Sequence, residues 1–328
     1  MPAVNDLKAR TGGAARRRTI AAADAGANSV HLLVARLADR DLEVLADESE
    51  FLGLGVAADR GWLGSELRSR LLETLGRQIA TARSLGAEVV VLVGTEPLRR
   101  SADAARVVVE VERAGGAPLF VLSHAEEGLL TLLGVTRGAP VADDLVVVDI
   151  GGGSSEIVEA KPGRAPSAVG LAVGSARLTA AVVRHDPPTR REWATLRVRA
   201  RELVGAAPPG RPKRLVVVGG TATNLGRIVP DGIAAEDAGR ALTAALVEAA
   251  ASALLAEPSV VVAERFALRP ERARVLLAGA AILLALLEHY GMATAEISGA
   301  SLREGLVFSV ARAGRAWRDR LGELVQRW

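Results

Sequence analysis

A chain of 328 residues is long enough for two domains, and with 49% hydrophobic but only 3% aromatic residues its cores must rest on Leu, Val, Ala and Ile. The absence of cysteine excludes a disulfide framework, Cys-ligated zinc and a thiol nucleophile, and fits a cytoplasmic setting. The pI of about 9.9 and net charge of +3 advertise a nucleic-acid partner only until the charge is located: residues 1–18 carry Lys8, Arg10, Arg16, Arg17 and Arg18 against Asp6, a net +4 that leaves −1 for the rest.

Residues 1–18 are therefore expected to be a disordered basic tail, without the apolar stretch of a signal peptide. Strand-like runs follow at 19–23, 29–36 and 42–46. A helix is expected over 62–85, where Leu63, Leu67, Leu71, Leu72, Leu75 and Ile79 follow helical spacing. Strands at 88–94 and 118–122 alternate with helices at 99–114 and 125–133. Gly138, Pro140, Asp143 and Asp144 then interrupt the pattern, which marks a boundary near 136–144.

The order restarts beyond it. Strands are expected at 145–149, 154–159, 168–171, 214–218 and 293–297. Helices are expected at 175–183, 189–204, 221–227, 235–255, 271–289 and 302–315. The most apolar of these segments, 275–287, is flanked by Arg274 and Glu288 and is too short to span a bilayer, so it reads as a buried helix and no membrane is expected. The fold class is α/β: two α/β domains with mixed sheets, each opening with a strand trio, around an interdomain cleft.

The repeat is also chemical. Asp24-Ala-Gly26-Ala-Asn28-Ser29 and Asp149-Ile-Gly151-Gly152-Gly153-Ser154-Ser155-Glu156 both read strand–Asp-x-Gly–strand. Such a turn presents backbone N–H groups and hydroxyls to phosphate oxygens, and a carboxylate beside it can hold a divalent cation or position water. Tight β-turns stabilised by Asp and Ser are the plainer account of each hairpin taken alone.

Three further segments carry polar groups. In Ser123-His-Ala-Glu126-Glu127 the capping box occupies Glu126 and leaves Glu127, a candidate base on water or a surface glutamate. Gly219-Gly220-Thr221 joins a strand to a helix and offers an anion site at the helix start, although a plain connection serves equally. It lacks the ending of a P-loop and the spacing of a dinucleotide fingerprint. Thr95-Glu-Pro-Leu-Arg99 places an arginine at a strand–helix junction, where its forked donors suit phosphate. The four histidines show no metal-ligand spacing, and there is no nucleophile elbow.

These segments together resemble the exopolyphosphatase / guanosine pentaphosphate phosphohydrolase family of the actin–Hsp70–sugar kinase superfamily. Gly174-Ser-Ala-Arg-Leu-Thr179, Arg272-Ala-Arg-Val-Leu-Leu-Ala-Gly279 and Leu302-Arg-Glu-Gly305 join them in order over about residues 19–312. The resemblance implies two actin-like (ribonuclease H-like) domains, 19–140 and 141–305, with a C-terminal helix in 306–328 packing back on the first. It implies a short form without appended helical domains, and a homodimer.

The chemistry it implies is hydrolysis of a terminal phosphoanhydride of inorganic polyphosphate or of pppGpp with Mg2+. Glu127, Asp149 and Glu156 would be catalytic, with Glu127 the base. Asp149, Glu156 and Asp24 would hold metal. Asp24, Gly26, Asn28, Ser29, Thr95, Arg99, Gly151, Gly152, Gly153, Ser154, Ser155, Gly219, Gly220 and Thr221 would hold phosphate. The family pattern Asp-Ile-Gly-Ser-Asn-Ser-x-Arg stands here with Ala27 and His31, so the first hairpin lacks a hydroxyl and a cation. A kinase or ATPase, or a non-catalytic polyphosphate or nucleotide sensor, is the competing reading.

Overall fold

The computed structural model describes residues 18–38, 41–229 and 241–326. Apart from Arg18, the expected basic tail lies outside the described residues.

β1 (Thr19–Ala25), β2 (Ser29–Ala38) and β3 (Asp41–Phe51) form an antiparallel meander. Helices α1 (Leu54–Ala58) and α2 (Ser65–Ser84) lead to β4 (Val89–Gly94), α3 (Glu96–Arg100), α4 (Ala104–Gly115), β5 (Leu119–Val121) and α5 (His124–Thr136). The five strands run in the order β3-β2-β1-β4-β5, with β4 parallel to both β1 and β5.

The second sheet repeats this plan. β6 (Leu145–Ile150), β7 (Ser155–Ala160) and β8 (Ser167–Leu171) form its meander, followed by α6 (Ser175–Val182), α7 (Arg190–Val204), β9 (Arg214–Val218) and α8 (Gly219–Ile228). β10 (Ala241–Thr243), α9 (Ala244–Ala256), α10 (Ser259–Arg265), α11 (Pro270–Tyr290) and β11 (Thr294–Ile297) complete it in the order β10-β11-β9-β6-β7-β8. α12 (Leu302–Ala313), a short 3-10 turn and α13 (Leu321–Gln326) close the chain.

Three expected boundaries shift for local reasons. The helix expected at 99–114 is two helices, because Ser101 is extended and Asp103 turns back to accept the Leu63 amide at 3.0 Å and Arg68 at 3.2 Å. The helix expected at 235–255 starts at Ala244, where the Thr243 hydroxyl caps the Leu246 amide, and residues 235–240 lie outside the described ones. The third strand runs on to Phe51 as an exposed edge whose Glu43, Asp47, Glu48 and Glu50 discourage edge pairing, charges that hide it from a search for apolar alternation.

β1 is buried on both faces, which explains its almost unbroken apolar run. Ala21 and Ala23 face a core with α2 and α4, while Ile20 and Ala22 face one built with Leu302, Leu306 and Val310 of α12. α11 is, among the described residues, the one helix long and apolar enough to cross a membrane. It is packed in the second domain's core against α6, α7, α9 and α10.

α5 joins the two halves: Leu130 packs with the first sheet and Leu132 with β6, β7 and β9 of the second. It crosses α12 at backbone distance. A Cβ on Gly134 would overlap the Ser301 carbonyl oxygen, and one on Gly305 would overlap that of Leu130.

Candidate active site

Both glycine hairpins open at the carboxyl ends of their central strands, where open α/β sheets bind ligands. In the first, Gly26 N–H donates to Ser29 O; in the second, Gly151 N–H donates to Ser154 O, each at 3.0 Å. The registers match as well: Asp24 pairs with His31 across the first hairpin and Asp149 with Glu156 across the second. The repeat seen in the sequence is thus a repeat of hydrogen bonds.

The second hairpin is aimed by α6. Gly151 O accepts from Ser175 N at 2.9 Å, and Gly152 O from Ala176 N and Arg177 N at 2.9 and 3.0 Å. Because each peptide is planar and trans, carbonyls turned toward α6 send the N–H groups of Gly152 and Gly153 the opposite way, into the cleft. A Cβ on Gly152 would meet Asn28 Nδ2 of the facing hairpin at 2.8 Å, so a side chain there would displace Asn28. The two hairpins therefore approach one another directly.

Between them lies a cavity of about 250 Å³. Asp24, Gly26, Asn28, Ser29 and Thr95 line it from the first domain. Asp149, Gly151, Gly152, Gly153, Ser154 and Glu156 line it from the second, with Gly219, Gly220 and Thr221 at the start of α8. Glu127 enters from α5, where the capping box of Ser123 and Glu126 fixes the first helical turn and leaves the next residue pointing inward.

Two expected phosphate contacts do not line the cavity. Arg99 Nη1 donates to the Leu122 carbonyl at 2.7 Å and to the Glu127 carboxylate, so its guanidinium is committed behind the base. Ser155 is fully buried and its hydroxyl donates to Val173 O at 2.7 Å. In return, Arg272 and Arg303 line the cavity without having been singled out in the sequence. Arg272 Nη2 donates to Ser29 Oγ at 3.1 Å, and Arg303 pairs with Asp47. They put positive charge beside the hairpin that lacks an arginine at position 31, and they add to burial in holding the His31 imidazole neutral. Burial, then Arg303, Arg272 and Arg269, push its pKa down to about 3. Both arginines sit in segments that carry the family resemblance, but nothing local says that they face a hairpin more than 240 residues away.

The carboxylates share this confined space. Burial, followed by the Glu156 charge, pushes Glu127 well above the ordinary range, with Arg99 opposing. Burial also raises Asp24 to about 7, against Arg303 and with Glu156, and raises Asp149 to about 7 with help from Glu156 and Asp24. Asp24 Oδ1 is buried with no hydrogen-bond partner. Among the described residues, no three His, Asp or Glu side chains converge closely enough to hold a metal ion by themselves. Two buried carboxylates with raised pKa values, one with an orphan oxygen, nonetheless form the hard-oxygen donor set that suits Mg2+, which takes one or two carboxylates and completes its shell with water and substrate phosphate.

Comparison with known proteins gives the family and the fold. A profile of the Ppx/GppA phosphatase family matches residues 33–313. Exopolyphosphatase 1 of Mycobacterium leprae is 28% identical over 296 residues, 87% of each chain. The crystal structure of the Aquifex aeolicus Ppx/GppA family member superposes with a TM-score of 0.76 at 27% identity, covering 91% of this chain and 99% of that one. An exopolyphosphatase from Cytophaga hutchinsonii, at 21% identity, shares the fold with a TM-score of 0.78 over 90% of this chain and 98% of its own. The two sheets are those of the actin-like fold, and the chain belongs to the Ppx/GppA phosphatase family as a phosphoanhydride hydrolase.

Proposed function

We propose that the protein is an exopolyphosphatase that removes the terminal phosphate of inorganic polyphosphate with Mg2+, using Glu127 to activate water. The observation that carries this reading is the position of Glu127: a buried carboxylate of raised pKa, facing two phosphate-type turns across one cavity. A carboxylate base can serve water in a hydrolase or an acceptor hydroxyl in a kinase, and membership of a phosphoanhydride hydrolase family favours water.

The turn amides of Gly152 and Gly153 and the start of α8 cradle phosphate oxygens, and Arg272 and Arg303 offset their charge. In phosphoryl transfer most of the catalysis is such positioning and neutralisation. Glu127 takes a proton from the attacking water, and its raised pKa makes it a stronger base than an exposed glutamate. Asp24 and Asp149 would hold Mg2+, which supplies positive charge to the phosphate oxygens. Glu156 already accepts from His124 and Ser154 and is held ready by them.

The test is phosphate release from polyphosphate of several lengths, pppGpp, ATP and pyrophosphate under one set of conditions with Mg2+. Polyphosphate should be hydrolysed fastest. Faster release from pppGpp would reassign the substrate, and tight polyphosphate binding without release would make the protein a sensor.

The aspartates add a pH prediction. Their folded pKa values lie above the unfolded value of about 3.9, so the stability they contribute is fully present below that value and is lost as pH rises through about 7. In chelator, the wild type should gain melting temperature between about pH 8 and pH 6 relative to an Asp24→Asn/Asp149→Asn variant. Mg2+ should raise the wild-type melting temperature more at the alkaline end. Equal pH slopes for the two proteins would show that the pair does not titrate there.

A further inference from the structure

Gly170 has no part in the chemistry described so far and His124 has entered only as a donor to Glu156, yet the two fit each other closely. His124 is the first residue of α5 and its ring is partly exposed. A Cβ on Gly170, in β8, would overlap the imidazole, so the bare backbone there is the seat of the ring. From that seat Nδ1 lies 2.8 Å from Glu156 Oε1, which also accepts from Ser154 Oγ at 2.7 Å. Arg99 Nη2 stands 2.9 Å from the same Nδ1.

A carboxylate only accepts hydrogen bonds, so with Glu156 ionised the ring carries its proton on Nδ1 and donates it to Oε1. Nδ1 then has no lone pair for Arg99. On that side Nη2 is left with Nε2 of the ring at 3.4 Å and with the Glu156 carboxylate as an ion pair at 3.8 Å, while the Nη1 donors go to Leu122 O and Glu127. One imidazole therefore orients both carboxylates: Glu156 on the second sheet directly, and Glu127 on α5 by way of Arg99.

We propose that His124, seated on Gly170, is a positioning residue that holds Glu156 and, through Arg99, aims Glu127 at the attacking water. The inference rests on the proposed roles of those two glutamates. A misplacement of about 1 Å near the reacting atoms can cost a factor of about 100 in rate.

The experiment is a set of variants assayed for kcat and KM on polyphosphate with Mg2+, and for melting temperature. His124→Ala should lower kcat by a factor of about 10 to 100 with KM little changed. His124→Asn, whose amide N–H falls where Nδ1–H stood, should recover most of the loss, whereas His124→Gln, which reaches the Nε2 position, should not. Gly170→Ala should reproduce the defect by unseating the ring, and should add nothing in the His124→Ala background. Wild-type kcat in His124→Ala, equal rescue by Asn and Gln, or additive effects of His124→Ala and Gly170→Ala would each overturn the proposal.

A double-mutant cycle of His124→Ala with Glu156→Gln, read in melting temperature, separates this inference from the functional reading. If the wild type releases no phosphate, the proposed function fails, while thermal coupling between the two positions still supports the contact and its absence still overturns it.

Discussion

Glu127→Gln should lower kcat by a factor of about 10²–10⁴, the range expected for loss of a general base, while leaving polyphosphate affinity within a few-fold. Gln has the shape of Glu and keeps an oxygen that accepts from Arg99, so the ion pair becomes a hydrogen bond and the cavity wall stays in place. It cannot accept a proton from water. The cradle does not depend on this residue, because the amides of Gly152 and Gly153 are aimed by α6 and the cations come from α11 and α12. Burial and Glu156 raise the Glu127 pKa, so the acid limb of the wild-type rate profile should lie above the ordinary glutamate value of about 4.3, and it should vanish in the variant. Steady-state kinetics across pH, with binding measured separately, checks both points. Activity within about ten-fold of wild type would remove Glu127 from the role of base.

The second large effect is structural. Gly305→Ala should destabilise the fold by about 3 kcal/mol or more, the upper end for overpacking, against a gain of only about 1 kcal/mol in helix propensity. The obstacle is the Leu130 carbonyl oxygen on the facing helix, and backbone cannot rotate away as a side chain can. To admit the methyl group α12 must move off α5. These helices carry Arg303 and Glu127, and Leu302 and Leu306 of α12 share a core with Leu130. A lower melting temperature should therefore come with a fall in activity that cooling does not restore. Gly322→Ala is the control, because a Cβ there meets nothing within 4 Å. Equal melting temperatures for the two variants would show that the crossing relaxes easily.

Much of this was legible in the sequence because the fold repeats a local pattern. The strand trios, the hairpins at Asp24 and Asp149 and the capping box before Glu127 are set by neighbours within a few residues, and the structure forms each of them. What escaped was decided at long range. Arg99 looks like a phosphate ligand because its position relative to the strand is visible, whereas its capture by Glu127, 28 residues on, is not. Ser155 looks like its neighbour Ser154, but strand alternation turns it to the opposite face and Val173 claims its hydroxyl. Arg272 and Arg303 come to the first hairpin from α11 and α12, at separations at which no spacing rule operates. α1 is only five residues long and carries no side-chain cap, so neither periodicity nor a start signal marks it.

The most direct test of the central claim is to follow single turnovers of polyphosphate with Mg2+ in water enriched in heavy oxygen. If the cleft activates water for attack on the terminal phosphorus, each orthophosphate released by the wild type carries one labelled oxygen and Glu127→Gln releases almost none. Orthophosphate without the label, or release that survives the substitution at the wild-type rate, would contradict the account.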